Sequence, residues 1–209
     1  HPLVVPVPAW VGSPRPSLLW MGSGKGWSLA DRQSGAAFAA TWGAFCGAPR
    51  MQGPTPGHRE AWAAGRSTYA VWAIRVESEA LHDRVTRIQS ELGASLRPIP
   101  LEDLHVTTWV AGFPTPVAPV HDDDIPEEAL ERQAAAVQGL GPFRLRVGGA
   151  NSFTTAPFLE VFDPEEGLLR LRQALTRCGP PELRFAPYQP HITLATALDD
   201  APTAPLREV

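Results

Sequence analysis

Residues 187–195 read PYQPHITLA, and residues 104–110 read LHVTTWV. Each run is apolar and β-prone, and each sets a threonine two positions after a histidine. Side chains two apart on a strand point to the same face. His105 and Thr107 therefore share one face, and so do His191 and Thr193. Val106, Ile192 and Leu194 point the other way, into apolar packing. Each strand offers an imidazole and a hydroxyl side by side.

Outward from these two strands the pattern is regular. STYAVWAIRV reads as a strand. SEALHDRVTRIQSELG reads as a helix, with Leu81, Val85, Ile88 and Leu92 on one side, Ser78 as N-cap and Gly93 as the stop. DDIPEEALERQAAAVQGLG reads as a second helix, with Asp124 as its N-cap and glutamates in the first turn. FRLRVGG alternates Phe143, Leu145 and Val147 against Arg144 and Arg146, as a half-buried strand does. APFLEVF is a strand, EEGLLRLRQALTRCG a helix with Leu168, Leu171 and Leu175 on one face, and HITLATAL a closing strand. This order predicts an α+β domain of two lobes, each a sheet covered by helices on one face.

Residues 1–65 differ. They are rich in Pro and Gly and hold five of the seven tryptophans, Trp10, Trp20, Trp27, Trp42 and Trp62. Disordered segments are poor in such residues. The segment reads as an extension packed on a main domain of residues 66–209, with one helix around SLADRQSGAAFAATWGAF.

The 209 residues carry 44% hydrophobic and 19% charged side chains and a net charge of −4. Bulk charge therefore draws the chain neither to nucleic acid nor to a membrane. The charge is uneven, +3 over residues 1–65 and −7 over the remainder. Cys46 and Cys178 make no disulfide framework, which points to a reducing cytoplasm. No run is long and apolar enough to span a membrane, and HPLVVPVPAW does not read as a signal peptide. One folded unit of this kind reads as a monomer.

If the lobes face each other, the two histidine–threonine pairs meet in one cleft. That set suits attack at phosphorus. One neutral histidine takes a proton from the nucleophile, and the other, protonated, gives one to the leaving oxygen. Histidine fits both roles because its ordinary pKa lies near 6.5. Threonine hydroxyls donate to the non-bridging oxygens, where charge builds. This scheme needs no metal and no cofactor. By strand parity Trp109 shares the face of His105 and Thr107, where it would stack a base. Arg144 and Arg146 lie opposite the apolar face of their strand, where they would reach phosphate. Tyr188 is a further candidate for substrate contact. MGSGKGWS lacks the spacing of a phosphate-binding loop, HDDD at 121–124 reads as a helix start rather than a metal site, and His58 and His82 have no partner pattern.

PYQPHITLA resembles the second motif of the two-histidine (2H) phosphoesterases, which include 2′-5′ RNA ligase-like proteins and RNA 2′,3′-cyclic phosphodiesterases. PLEDLHVTTWVAG is similar to their first motif, H-x-[T/S]-x. The resemblance covers residues 67 to 200. It implies two antiparallel sheets facing a central cleft with helices on the outer faces. It also implies a hydrolase of 2′,3′-cyclic or related 2′-5′ phosphodiesters on RNA ends or nucleotides, and it admits 2′-5′ RNA ligase activity. His105 would be the proton donor, His191 the base, and Thr107 and Thr193 the phosphate holders. The sequence departs from the pattern at Thr108, where the family has an apolar residue. It departs again at Gln189 and Thr196, where RNA-processing members often carry arginine. A second reading is a non-catalytic RNA- or nucleotide-binding protein that uses the same cleft. A third is a zinc site built on the two histidines.

Overall fold

Ser78 ends an extended segment, and its hydroxyl accepts from the backbone N–H of Leu81, so the chain turns into a helix there. The computed structural model describes residues 29–183 and 187–207. Trp10, Trp20, Trp27 and the MGSGKGWS stretch lie outside the described residues. In chain order the elements are α1 (Leu29–Gly47), α2 (His58–Ala63), β1 (Ala70–Arg75), α3 (Glu79–Glu91), β2 (Leu96–Pro98), β3 (His105–Thr115), β4 (Asp124–Pro126), α4 (Glu127–Gln138), β5 (Arg146–Ser152), β6 (Pro157–Phe162), α5 (Gly167–Thr176), β7 (His191–Thr193) and β8 (Ala195–Ala197).

The class is α+β with two sheets, as the element order implied. The larger sheet runs β1-β3-β7-β6-β5 and is antiparallel along this path, with β4 added in parallel to β3. The smaller pairs β2 with β8. HITLATAL is therefore two strands rather than one. Leu194 divides them: its N–H donates to Pro157 and its carbonyl accepts from Ile99, which carries β8 out of the large sheet.

The apolar face of the large sheet is the main core. Ile74, Val106, Leu159, Val161 and Ile192 come from four adjacent strands and pack with Leu81 and Val85 of α3 and Leu168 of α5. Trp109, Ala111, Ile125, Ala129, Val137 and Leu175 form a second cluster under α4 and α5, and Leu171 touches both clusters. Three helices thus cover one face. α1 packs on the other, where Phe38 meets Phe158 and Phe162.

Asp124 does not cap α4. It lies in β4, and its carboxylate accepts from the N–H groups of Val120 and His121 and from the guanidinium of Arg66. Together these three donors hold its pKa down at about 2. Pro126 stands at the N-cap position instead, without a side-chain bond. The 121–124 acidic stretch is a structural ion-pair turn, with Asp123 on the same arginine.

Candidate functional site

Val106 and Ile192 are direct partners in the antiparallel pairing of β3 with β7. Continuing that register sets His105 opposite Thr193 and Thr107 opposite His191. All four side chains then stand on the face away from the helix-covered core. Directly opposed residues bring their Cβ atoms to about 5 Å, and diagonal neighbours lie about 7–8 Å apart. The two histidines occupy one diagonal and the two threonines the other. The sequence placed each histidine strand in its own half of the chain. The structure hydrogen-bonds the two strands together, so the pairs converge through the sheet itself.

Each imidazole is oriented in the same way. His105 Nδ1 lies 2.7 Å from the carbonyl of Asp103, and His191 Nδ1 lies 2.8 Å from the carbonyl of Gln189. A carbonyl only accepts, so Nδ1 carries the proton in both rings. In the neutral ring Nε2 is then the unprotonated nitrogen. Both side chains are half-buried. The rings of Phe153 and Phe158 flank His191, with centroids at 5.1 and 5.2 Å. Thr41 of α1 donates to the side-chain oxygen of Gln189 at 3.1 Å. The helix on this face is thereby tied to the segment that aims His191.

Trp109 does not line the site. It is 3% exposed and sits in the cluster under α4 and α5. The cause is a β-bulge. Trp72 pairs with Trp109 but Ala73 pairs with Thr107, so Thr108 is an extra residue and the alternation reverses after it. Thr108 itself is buried, and its hydroxyl donates to the carbonyl of Trp72 at 2.8 Å. That hydroxyl is satisfied locally, so a polar residue is tolerated at this buried position.

Tyr188 is half-buried against the main core. Its hydroxyl donates to the carbonyl of Thr107 at 3.3 Å, and the guanidinium of Arg172 lies 3.9 Å from its ring centroid. It braces β3 from the helix side rather than from the site. Arg144 precedes β5, is exposed, and lies 3.5 Å from Glu165. Arg146 is on the histidine face but on β5, with its guanidinium over Phe162 at 5.1 Å. Two strands separate it from His105.

Register brings two other charged groups beside the histidines. Arg75 pairs directly with His105, and Glu160 pairs directly with His191. Glu160 accepts from Asn151 Nδ2 at 2.9 Å, and the same amide donates to the carbonyl of Phe38 in α1. A lone arginine in the apolar run AVWAIR was a legible signal; its position next to His105 depends on strand pairing. Among the described residues no group of three or more His, Cys, Asp or Glu side chains converges as a metal site would.

Two imidazoles are thus aimed alike, each with a threonine across the strand pair, on one face of an antiparallel sheet. Residues 77–209 match the 2′-5′ RNA ligase superfamily, and the chain belongs to it. Membership brings phosphodiesterase- or ligase-type chemistry on RNA or nucleotides in general. A crystal structure of TT0787 of Thermus thermophilus is similar at 21% identity and a TM-score of 0.48, covering 65% of this chain and 77% of that one. Among curated proteins none matches this chain. Among the described residues no helix is long and apolar enough to cross a membrane.

Proposed function

We propose that the chain hydrolyses a 2′,3′-cyclic phosphate, or a closely related cyclic or 2′-5′ phosphodiester, at an RNA end or on a nucleotide. The observation that carries this reading is the matched orientation of His105 and His191, each fixed through Nδ1 to the carbonyl two residues before it. Two Nε2 atoms on one diagonal suit an in-line displacement, with the phosphorus between them. One imidazole takes a proton from water as its oxygen bonds to phosphorus. The bond from phosphorus to the ribose oxygen breaks, and the other imidazolium protonates that oxygen. The product is a phosphate monoester with a freed hydroxyl. The resemblance assigns the acid to His105 and the base to His191. Thr107 and Thr193, on the other diagonal, donate to the non-bridging oxygens. Donors placed where charge develops lower the barrier most, and side chains alone balance the charge in this scheme.

The test is turnover of a panel of nucleoside 2′,3′-cyclic phosphates and cyclic-phosphate-ended RNAs, with the product's phosphate position determined. Hydrolysis should persist after exhaustive chelator treatment. Activity that vanishes with the chelator and returns with a divalent ion would replace this scheme with a metal-based one.

A further inference from the structure

Among the described residues, aromatic rings wall the site on one side only. Beyond His191 stand Phe153 and Phe158, and behind them Phe38 of α1 packs on Phe158 and Phe162. On the opposite side lies β1, the last strand of the path. A substrate whose phosphate sits among the four side chains therefore has its remaining bulk directed towards β1.

Arg75 stands on that side. It is the direct partner of His105, and adjacent strands lie about 5 Å apart. Ile74 is buried in the main core, so Arg75 faces the site side by strand alternation. Its side chain is exposed, and among the described residues it makes no ion pair or side-chain hydrogen bond. Arg146, the other arginine that register puts on this face, lies past Phe162 on β5. A guanidinium with five donors and a fixed planar fork is suited to phosphate.

We infer that Arg75 binds a second phosphate of the substrate, the one on the 5′ oxygen of the nucleoside that bears the reacting ring. This inference rests on the proposed function. It makes the preferred substrate one with two phosphates on its terminal nucleoside. An internucleotide phosphodiester and a terminal 5′-phosphate present the same chemistry, and the test separates them.

Three substrates are compared: a nucleoside 2′,3′-cyclic phosphate, the same compound with a 5′-phosphate, and a dinucleotide ending in the cyclic phosphate. The readout is the ratio of kcat/KM to that of the first compound. Wild type should favour the second and third by about 10-fold, less at high salt. Arg75→Gln should bring both ratios near one, and Arg75→Lys should keep part of the preference. A preference for the dinucleotide alone would assign the phosphate to a polymer; a preference for both assigns it to either source. Ratios unchanged in Arg75→Gln, or a wild type without preference, would overturn the inference. If wild type turns over none of the three, the proposed function fails. The inference is then decided by binding of a nucleoside 3′,5′-bisphosphate against the 3′-monophosphate. Tighter binding that Arg75→Gln abolishes would support it, and equal binding would overturn it.

Discussion

At the scale of single residues, the proposed site depends on how little freedom its imidazoles have. A hydrogen bond from Nδ1 to a backbone carbonyl fixes both tautomer and ring direction. The acceptors, Asp103 and Gln189, are both two residues upstream, so the same local geometry is built twice. The H-x-T spacing made this tetrad readable in the sequence, because strand parity holds from 105 to 107 and from 191 to 193. Parity fails one step later. Trp109 is a core residue, which gives a prediction opposite to that for a stacking residue. Trp109→Ala should lower stability by about 3–5 kcal/mol, the usual cost of truncating a large buried aromatic. Denaturant unfolding should show a lower midpoint with an unchanged slope. Trp109→Phe should cost clearly less. Turnover of nucleotide and base-free phosphodiesters should fall together, if at all. A selective loss of nucleotide substrates in a fully stable Ala variant would put the indole back in the site.

At the scale of elements, α1, α3, α4 and α5 and the strands β1, β3, β5, β6 and β7 were legible from their period or their apolar runs, whereas α2, β2 and β4 were not anticipated. α3 begins where Ser78 caps it, and α5 buries Leu168 and Leu175 as its spacing implied. What was not legible depends on partners distant in sequence. The bulge at Thr108 exists because of its pairing with Trp72 and Ala73. Arg172 of α5 donates to the carbonyl of Thr108 and pairs with Glu182, holding the bulge from the helix side. The acidic turn before α4 reads like a helix cap until Arg66 is placed beside it. Arg75 and Glu160 became neighbours of the histidines only once strand order was known. The link from β3 to β4 offers a direct check. Gly112 has φ of +124°, and a Cβ there would lie 2.3 Å from the carbonyl oxygen of Asp123. That oxygen accepts from the N–H of Phe113, so it has little room to move. Gly112→Ala should destabilise the fold by about 1–3 kcal/mol, read as a fall in the thermal or urea midpoint. An unchanged midpoint would mean that this connection is built differently.

At the scale of the whole molecule, one sheet serves two purposes on its two faces. The face under α3, α4 and α5 supplies the core. The other presents the histidines and threonines between a wall of phenylalanines backed by α1 and the outer strand β1. Because all four groups project from two hydrogen-bonded strands, their spacing is set by sheet geometry rather than by loop conformation. The two histidines should therefore act as one unit. Groups that act together in one step show strongly non-additive losses. The most direct measurement is a double-mutant cycle on hydrolysis of a 2′,3′-cyclic phosphate substrate. His105→Ala and His191→Ala should each lower kcat/KM by at least about 100-fold, the scale of a positioned acid or base. The double variant should fall little further, and circular dichroism should show the fold retained in all three. Near-normal turnover by either single variant would contradict the two-histidine mechanism, as would two losses that multiply in the double variant.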